Sequence, residues 1–128
     1  MEALFWQRLP ATKNSLPTAR HAALAALEAA GITHPILLRS IALALSEAVG
    51  NAIVHAYPDD ASREVEVTIV RDDHRVTVTV ADEGVGLERA AQGPGLGLGQ
   101  KLIHELASSS EIDSSADGTT VTMRFSTR

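Results

Sequence analysis

Apolar and polar residues alternate along several segments of the chain, which predicts strands that bury one face. The alternation is clearest at residues 75–81, where Val76, Val78 and Val80 share one face and Thr77 and Thr79 share the other. The segments predicted as strands are 4–9, 64–71, 75–81, 110–114 and 119–126. Residues 72–74 connect the second and third of these strands, which predicts an antiparallel hairpin.

Three other segments place apolar residues at helical spacing. They are predicted as helices over residues 17–30, 35–56 and 100–106. Pro17 and Pro35 suit the first turn of a helix, whereas Gly31 and Pro58 end the first two helices. Strands and helices do not alternate regularly, which disfavours a doubly wound parallel sheet. The pattern predicts a two-layer α+β sandwich, with a mixed, mostly antiparallel sheet and helices on one face.

The composition narrows the classes of function. A chain of 128 residues is expected to form a single domain, residues 1–128. The net charge is −5 and no segment is strongly basic, which argues against a nucleic-acid partner. No apolar run reaches the roughly 20 residues of a membrane span, and the first residues lack an apolar signal core, so a cytoplasmic protein is expected. The absence of cysteine excludes disulfides and thiolate metal sites.

Asp82 places a charged side chain at a strand position where the pattern predicts an apolar one, and burial of a charge costs free energy. It continues the parity of the valines before it, so its carboxylate is predicted to point toward the core. A buried carboxylate needs a hydrogen-bonding partner, and Gly84 and Gly86 allow another group to approach the backbone closely. Two interpretations are open: a pocket for a ligand that donates a hydrogen bond to Asp82, or an Asx-turn at the end of a strand.

Glu47, Asn51 and His55 are spaced by four residues on the second predicted helix, so they form one line along its surface. The apolar stripe of the same helix consists of Leu37, Ile41, Leu45, Ala48 and Ala52. At about 100° per residue, Glu47 lies farthest from this stripe and His55 lies closest to it. The line follows a boundary between core and solvent, which fits either a functional site or an ordinary solvated helix face.

Glycine occupies every second position from Gly93 to Gly99, ahead of the third predicted helix. Backbone amides at such a helix start can bind phosphate. The spacing matches neither a Walker loop nor the Rossmann fingerprint, and a flexible loop is the alternative interpretation. In the last strand, Thr119 shares the parity of Val121 and is predicted to lie on the inner face beside Asp82.

These motifs, taken in order, resemble the GHKL ATPase superfamily, which has the Bergerat ATP-binding fold. The resemblance rests on Glu-x-x-x-Asn in a helix, Asp-x-Gly-x-Gly after a strand, Gly-x-Gly at a helix start and Gly-Thr-Thr at a strand start. It covers nearly the whole chain, and the ordered set is specific although each motif is weak alone. Residues 46–57 (SEAVGNAIVHAY) resemble the anti-sigma factor serine kinases within that superfamily.

The resemblance implies ATP and Mg²⁺ as cofactors and assigns roles to residues of this chain. Asp82 would receive the adenine amino group, and Thr119 would support the same edge of the base through water. Asn51 would ligate Mg²⁺, and Glu47 would be the general base that takes the proton from an attacking hydroxyl. The remaining nucleotide-binding residues implied by the resemblance are His55, Gly84, Gly86, Gly95, Leu96, Gly97, Leu98 and Gly99.

The function expected from the resemblance is that of an anti-sigma factor with protein serine kinase activity. It would phosphorylate a STAS-type anti-anti-sigma factor and sequester a sigma factor. The segment 87–93 is shorter than the lid usual in this family, so a non-catalytic ATP-binding module that switches partners is the alternative. A detached catalytic domain of a sensor histidine kinase is a third interpretation. The resembled family is commonly dimeric, so a homodimer is one expected state.

Overall fold

Eight helices and strands form the part of the chain that the computed structural model describes, residues 1–53, 63–83, 96–115 and 117–127. The strands are β1 (Glu2–Pro10), β2 (Glu64–Asp72), β3 (Arg75–Asp82), β4 (Ser109–Ser115) and β5 (Gly118–Ser126). The helices are α1 (Ser15–Ala29), α2 (Pro35–Asn51) and α3 (Leu96–Leu106). None of these helices combines the length and the apolar character that a membrane span requires.

The five strands form one sheet in the order β1-β2-β3-β5-β4. Every pairing between these neighbours is antiparallel, so the parallel component that a mixed sheet would contain does not occur among the described strands. β2 and β3 form the predicted hairpin, with Asp72 paired to Arg75 across the turn. Each strand lies within two residues of its predicted bounds.

The core lies between the helices and one face of the sheet, as the α+β prediction requires. The buried residues of β2, β3 and β5, each at most 2% exposed, are Val65, Val67, Ile69, Val76, Val78, Val80, Met123 and Phe125. The residues of the three helices that are also at most 2% exposed are Ala19, Ala23, Leu27, Ile41, Ala44, Leu45, Ala48, Val49 and Ile103. Burial of each large apolar side chain contributes about 1.5–3 kcal/mol. A slip of one residue would move a strand's apolar side chains to the other face, so this layer fixes the register of the sheet.

The first two helices differ from their predicted bounds at the ends. α1 begins at Ser15, two residues before Pro17, and Gly31 ends it with a φ of +86°. The Ile32 amide then donates to the Leu27 carbonyl at 3.0 Å, which closes the helix end. α2 passes into a wider π-type turn at residues 52–53, and the predicted extension to residue 56 lies outside the described residues.

The third helix begins earlier than its sequence predicts. α3 starts at Leu96 instead of Gln100, so the second half of the glycine-rich segment has helical backbone. The prediction was wrong here because it treated alternating glycines as a loop. α3 packs against α2, and such packing outweighs the low helix propensity of Gly97 and Gly99.

Gly118 allows the start of β5 to approach the end of β3 very closely. Its φ is +149°, a backbone conformation that residues with a side chain rarely adopt. A Cβ at this position would lie 2.2 Å from the Asp82 carbonyl oxygen and 2.9 Å from the Glu83 Cα. Both neighbours are backbone atoms, so β3 itself would have to shift. Glycine at position 118 is therefore a requirement of the β3–β5 pairing.

We expect Gly118→Ala to lower the free energy of unfolding by at least about 2 kcal/mol, because it adds both a strained φ and a backbone clash. The matched control is Gly50→Ala, since a Cβ at Gly50 meets nothing within 4 Å and its φ is not positive. That variant should be unchanged or more stable by up to about 1 kcal/mol. Urea denaturation followed by circular dichroism measures both. Equal stability of the two variants would contradict the steric argument.

Candidate functional site

Asp82 lies at the end of β3 on the side of the sheet that faces the helices. It continues the row of Val76, Val78 and Val80, which are at most 2% exposed, and it is itself half-buried. The register pairs Val80 with Val121 and Asp82 with Thr119. The predicted parity of both polar residues is therefore confirmed, and the sheet places them side by side where the apolar core ends.

The Asp82 carboxylate has a fixed backbone partner. Its Oδ1 accepts a hydrogen bond from the Thr119 amide at 3.2 Å. The Thr119 hydroxyl lies 2.9 Å from the Ser114 hydroxyl, so a polar row crosses β3, β5 and β4 at this end of the sheet. Ser114 belongs to none of the sequence motifs, although its parity in the predicted strand 110–114 places it on the same face as Thr119. A carboxylate oriented by a backbone amide is suited to accept a further hydrogen bond from a bound amine.

Arg63 holds the backbone that follows Asp82. Its guanidinium Nη2 donates to the Glu83 carbonyl oxygen at 2.9 Å and lies 3.8 Å from the Glu83 carboxylate. A cavity of about 230 Å³ opens beside this contact, with Arg8, Glu66 and Asp82 in its lining. Arg63 could not be predicted as a site residue, because it precedes a strand and belongs to no sequence motif. The contact joins positions 20 residues apart and stabilises the chain where it leaves β3.

Glu47 and Asn51 lie on α2, on the same side of the sheet as Asp82. α2 packs against β3 and β5 and is flanked by α1 and α3. Glu47 and Asn51 are both half-buried, at the margin of the buried face of the helix. The predicted apolar stripe is confirmed, with Ala44 and Val49 as additional buried members. His55, the third member of the polar line, lies outside the described residues.

The arrangement offers one amide ligand on α2 for a metal ion. Among the described residues, no group of three or more His, Asp or Glu side chains could hold a metal ion. The Asn51 side-chain oxygen is a hard ligand of the kind that Mg²⁺ accepts, and Mg²⁺ in nucleotide sites is often bound by one or two protein groups together with phosphate oxygens and water. The donor set therefore fits a metal held jointly with a nucleotide.

The start of α3 brings backbone amides into the helix layer beside α2. Leu96, Gly97, Leu98 and Gly99 form the first turn of α3, where amide groups have no partner within the helix. The positive end of the helix dipole favours an anion at this position. Gly84, Gly86 and Gly95, the other glycines predicted to contact a nucleotide, lie outside the described residues.

Comparison with known proteins relates the whole described architecture to one family. The sequence model of the family described as "Histidine kinase-like ATPase domain" matches residues 9–125. The chain is 36% identical over 96 residues to the anti-sigma F factor of Bacillus velezensis, an alignment that covers 66% of each protein. It is 33% identical over 102 residues to the anti-sigma F factor of Geobacillus stearothermophilus, with 68% of each protein covered.

Two solved structures share the fold. The structure of the RsbU and RsbW domains of Rv1364c from Mycobacterium tuberculosis matches 94% of this chain and 31% of that one, with a TM-score of 0.74 and 28% identity. The structure of the SiaB–SiaC complex from Pseudomonas aeruginosa contains a second match. The alignment covers 97% of this chain and 90% of the matched chain, with a TM-score of 0.75 and 12% identity. The second likeness concerns the fold alone. The family match spans nearly the entire sequence, and its fold agrees with the antiparallel sheet and helix layer described above, so this chain belongs to the histidine kinase-like ATPase family.

Proposed function

We propose that this protein is an ATP-dependent serine kinase that also acts as an anti-sigma factor. The observation that carries the proposal is the Asp82 carboxylate, half-buried on the helix side of the sheet and oriented by the Thr119 amide. Family membership supports ATP as the nucleotide. The relatives named anti-sigma F factor support a sigma factor as one protein partner.

The adenine base is proposed to bind at the polar row formed by Asp82, Thr119 and Ser114, at the end of β3. The adenine amino group donates to the Asp82 carboxylate, and Thr119 supports the same edge through water. Guanine carries a carbonyl where adenine carries the amine, so it would place an acceptor against an acceptor. Arg63 and Gly118 act as positioning residues, because they hold the backbone on either side of Asp82.

The phosphates are assigned to the start of α3 and the metal to α2. The first-turn amides of α3, residues 96–99, hold phosphate oxygens at the positive end of the helix. Asn51 supplies an oxygen ligand to Mg²⁺, which when bound neutralises part of the phosphate charge. The resemblance to the GHKL ATPases adds four further residues to the proposed nucleotide site, namely His55, Gly84, Gly86 and Gly95.

Glu47 is proposed as the general base of the transfer. The oxygen of an acceptor serine forms a bond to the γ-phosphorus of ATP, the bond from that phosphorus to the bridging oxygen breaks, and ADP leaves. The serine proton passes to the Glu47 carboxylate. Glu47 is half-buried at the edge of the core, so an incoming protein can reach it from solvent. The acceptor is proposed to be a STAS-type anti-anti-sigma factor, whose phosphorylation governs whether the sigma factor stays sequestered in the cytoplasm.

A non-catalytic ATP-binding module is the second candidate function, favoured by the short segment 87–93. A lid that closes over a nucleotide excludes water and slows its release. A shorter lid would make the protein respond to nucleotide state by switching partners without transferring phosphate. Nucleotide binding would then depend on Asp82, whereas partner exchange would not depend on Glu47.

Replacement of Asp82 with Ala should weaken ATP binding by about 1.5–3 kcal/mol, because it removes a charged hydrogen-bond acceptor. Isothermal titration calorimetry with ATP measures the change, and GTP should bind weakly to the wild-type protein. Asp113→Ala is the matched control, since Asp113 is an exposed carboxylate on β4. Unchanged ATP affinity in Asp82→Ala would assign Asp82 to a strand-end turn only.

Glu47→Gln should reduce phosphoryl transfer to the STAS protein by roughly 10²–10⁴ with ATP affinity little changed, because the amide cannot accept the proton. Asn51→Ala should instead weaken Mg²⁺-ATP while sparing metal-free nucleotide. Transfer of labelled phosphate and calorimetry with and without Mg²⁺ measure the two effects. Glu105→Gln, an exposed carboxylate change on α3, is the control. Transfer by Glu47→Gln at the wild-type rate would refute the assigned base, and absence of transfer by the wild-type protein would favour the second candidate function.

A further inference from the structure

The outward face of α2 carries apolar side chains that the described chain leaves exposed. Five large apolar side chains are exposed in the described part of the chain, and the two that lie on helices are Ile36, 72% exposed, and Leu43, 42% exposed. They are seven residues apart, so they lie on one line of the helix, and Gly50 continues that line after seven more. Ile36, Leu43 and Gly50 are named the α2 stripe here. At about 1.5 Å per residue the stripe is about 21 Å long.

The described part of the chain contains no contact that explains a glycine at position 50. Glycine is among the least favourable residues in a helix, because its backbone loses the most conformational freedom when it becomes helical. The φ of Gly50 is not positive, so alanine could adopt the same backbone. A Cβ at this position would meet none of the described residues within 4 Å, so none of them requires the missing side chain. A bare helix backbone at an open position is suited to a close approach by another molecule.

The stripe runs beside the proposed base. Glu47 lies one turn after Leu43 and three residues before Gly50, within about 60° of the stripe around the helix axis. A hydroxyl that gives its proton to Glu47 must come within about 3 Å of that carboxylate. A protein that carries such a hydroxyl therefore has to lie over this part of α2, where Gly50 leaves room for its backbone.

A cavity at the other end of the stripe provides an anchoring point. It has a volume of about 290 Å³ and lies beside Ile36, with Leu37, Leu106 and Phe125 in its lining. Polar side chains complete its lining, namely His34, Ser40, Ser108, Ser126 and Thr127. A cavity lined in this way can receive an anchoring side chain of a partner together with a hydrogen-bonding group.

We propose that the α2 stripe is the docking surface for the protein that carries the acceptor serine. The partner presents an apolar patch next to that serine, packs it on Leu43 and Ile36, and brings its backbone over Gly50. This inference rests on the proposed kinase function, because it uses Glu47 as the acceptor of the serine proton. It adds to that function the surface by which the substrate protein is chosen.

The test measures binding and transfer separately in Leu43→Ser, Gly50→Ala and the wild-type protein. The probes are STAS-domain proteins from the source genome, each with its acceptor serine intact for transfer and changed to alanine for calorimetric binding. Ile112→Ser is the matched control, since Ile112 is a large apolar side chain of similar exposure, 38%, and lies on β4 instead of α2. Leu43→Ser and Gly50→Ala should each weaken partner binding at least fivefold and raise the KM for the partner, with ATP affinity unchanged. Gly50→Ala should at the same time melt no lower than wild type, which separates lost docking from lost folding.

The outcomes distinguish this proposal from the kinase proposal. Partner binding at wild-type strength in both stripe variants would overturn the docking surface. A change in oligomeric state by sedimentation, with partner binding intact, would overturn it too and assign the stripe to contacts between copies of this chain. If the wild-type protein binds a STAS partner without transferring phosphate, the kinase proposal fails and the binding data alone decide the docking surface. If it binds none, both proposals are refuted.

Discussion

The pairing of β3 with β5 is the constraint on which the candidate site depends. It places Asp82 opposite Thr119, so that a backbone amide of one strand orients the carboxylate of the other at 3.2 Å. The same pairing brings Gly118 so close to the Asp82 carbonyl that no side chain fits between the strands. A polar group is thereby held where the apolar core ends, and its backbone has little freedom to move. Such fixed orientation lowers the entropic cost of recognising a ligand.

α2 contributes one face to the core and presents the opposite face to solvent. Its inner face, formed by the buried residues Ile41, Ala44, Leu45, Ala48 and Val49, packs against the sheet. Ile36 and Leu43 are exposed on the other face, where a Cβ at Gly50 would meet none of the described residues. Glu47 lies at the boundary between the two, so a group assigned to chemistry sits between the core and the proposed docking surface. A partner that packs on the outer face would contact the same rigid helix that positions Glu47 and Asn51. Docking and catalysis would then share one scaffold, which favours a precise geometry at the acceptor serine.

The fold of this protein is shared by proteins of very different sequence, so its activity has to be argued from particular residues. The Pseudomonas aeruginosa structure shares the architecture at 12% identity, which shows that a very different sequence can form this fold. Fold alone therefore does not assign an activity. Two relatives named anti-sigma F factor share 36% and 33% identity with this chain over about two thirds of its length. Their names support the proposed anti-sigma role, whereas the proposed roles of individual residues depend on Asp82, Glu47 and the α2 stripe.

Local periodicity in the sequence predicted the strands, the helices and the side on which Asp82 and Thr119 lie, because alternation in a strand and spacing by three or four in a helix are set by neighbouring residues. The roles of Glu47 and Asn51 stay predictions from the same spacing. The contacts of Arg63 with Glu83 and of Gly118 with Asp82 join residues 20 or more positions apart, so only the tertiary structure could reveal them. It also decided that α3 begins at Leu96, since packing against α2 outweighs the local preference of its glycines. The sequence by itself thus determined which face each residue takes, and the folded chain decided which distant residues meet, because the contacts between elements form only when the strands pair and the helices pack.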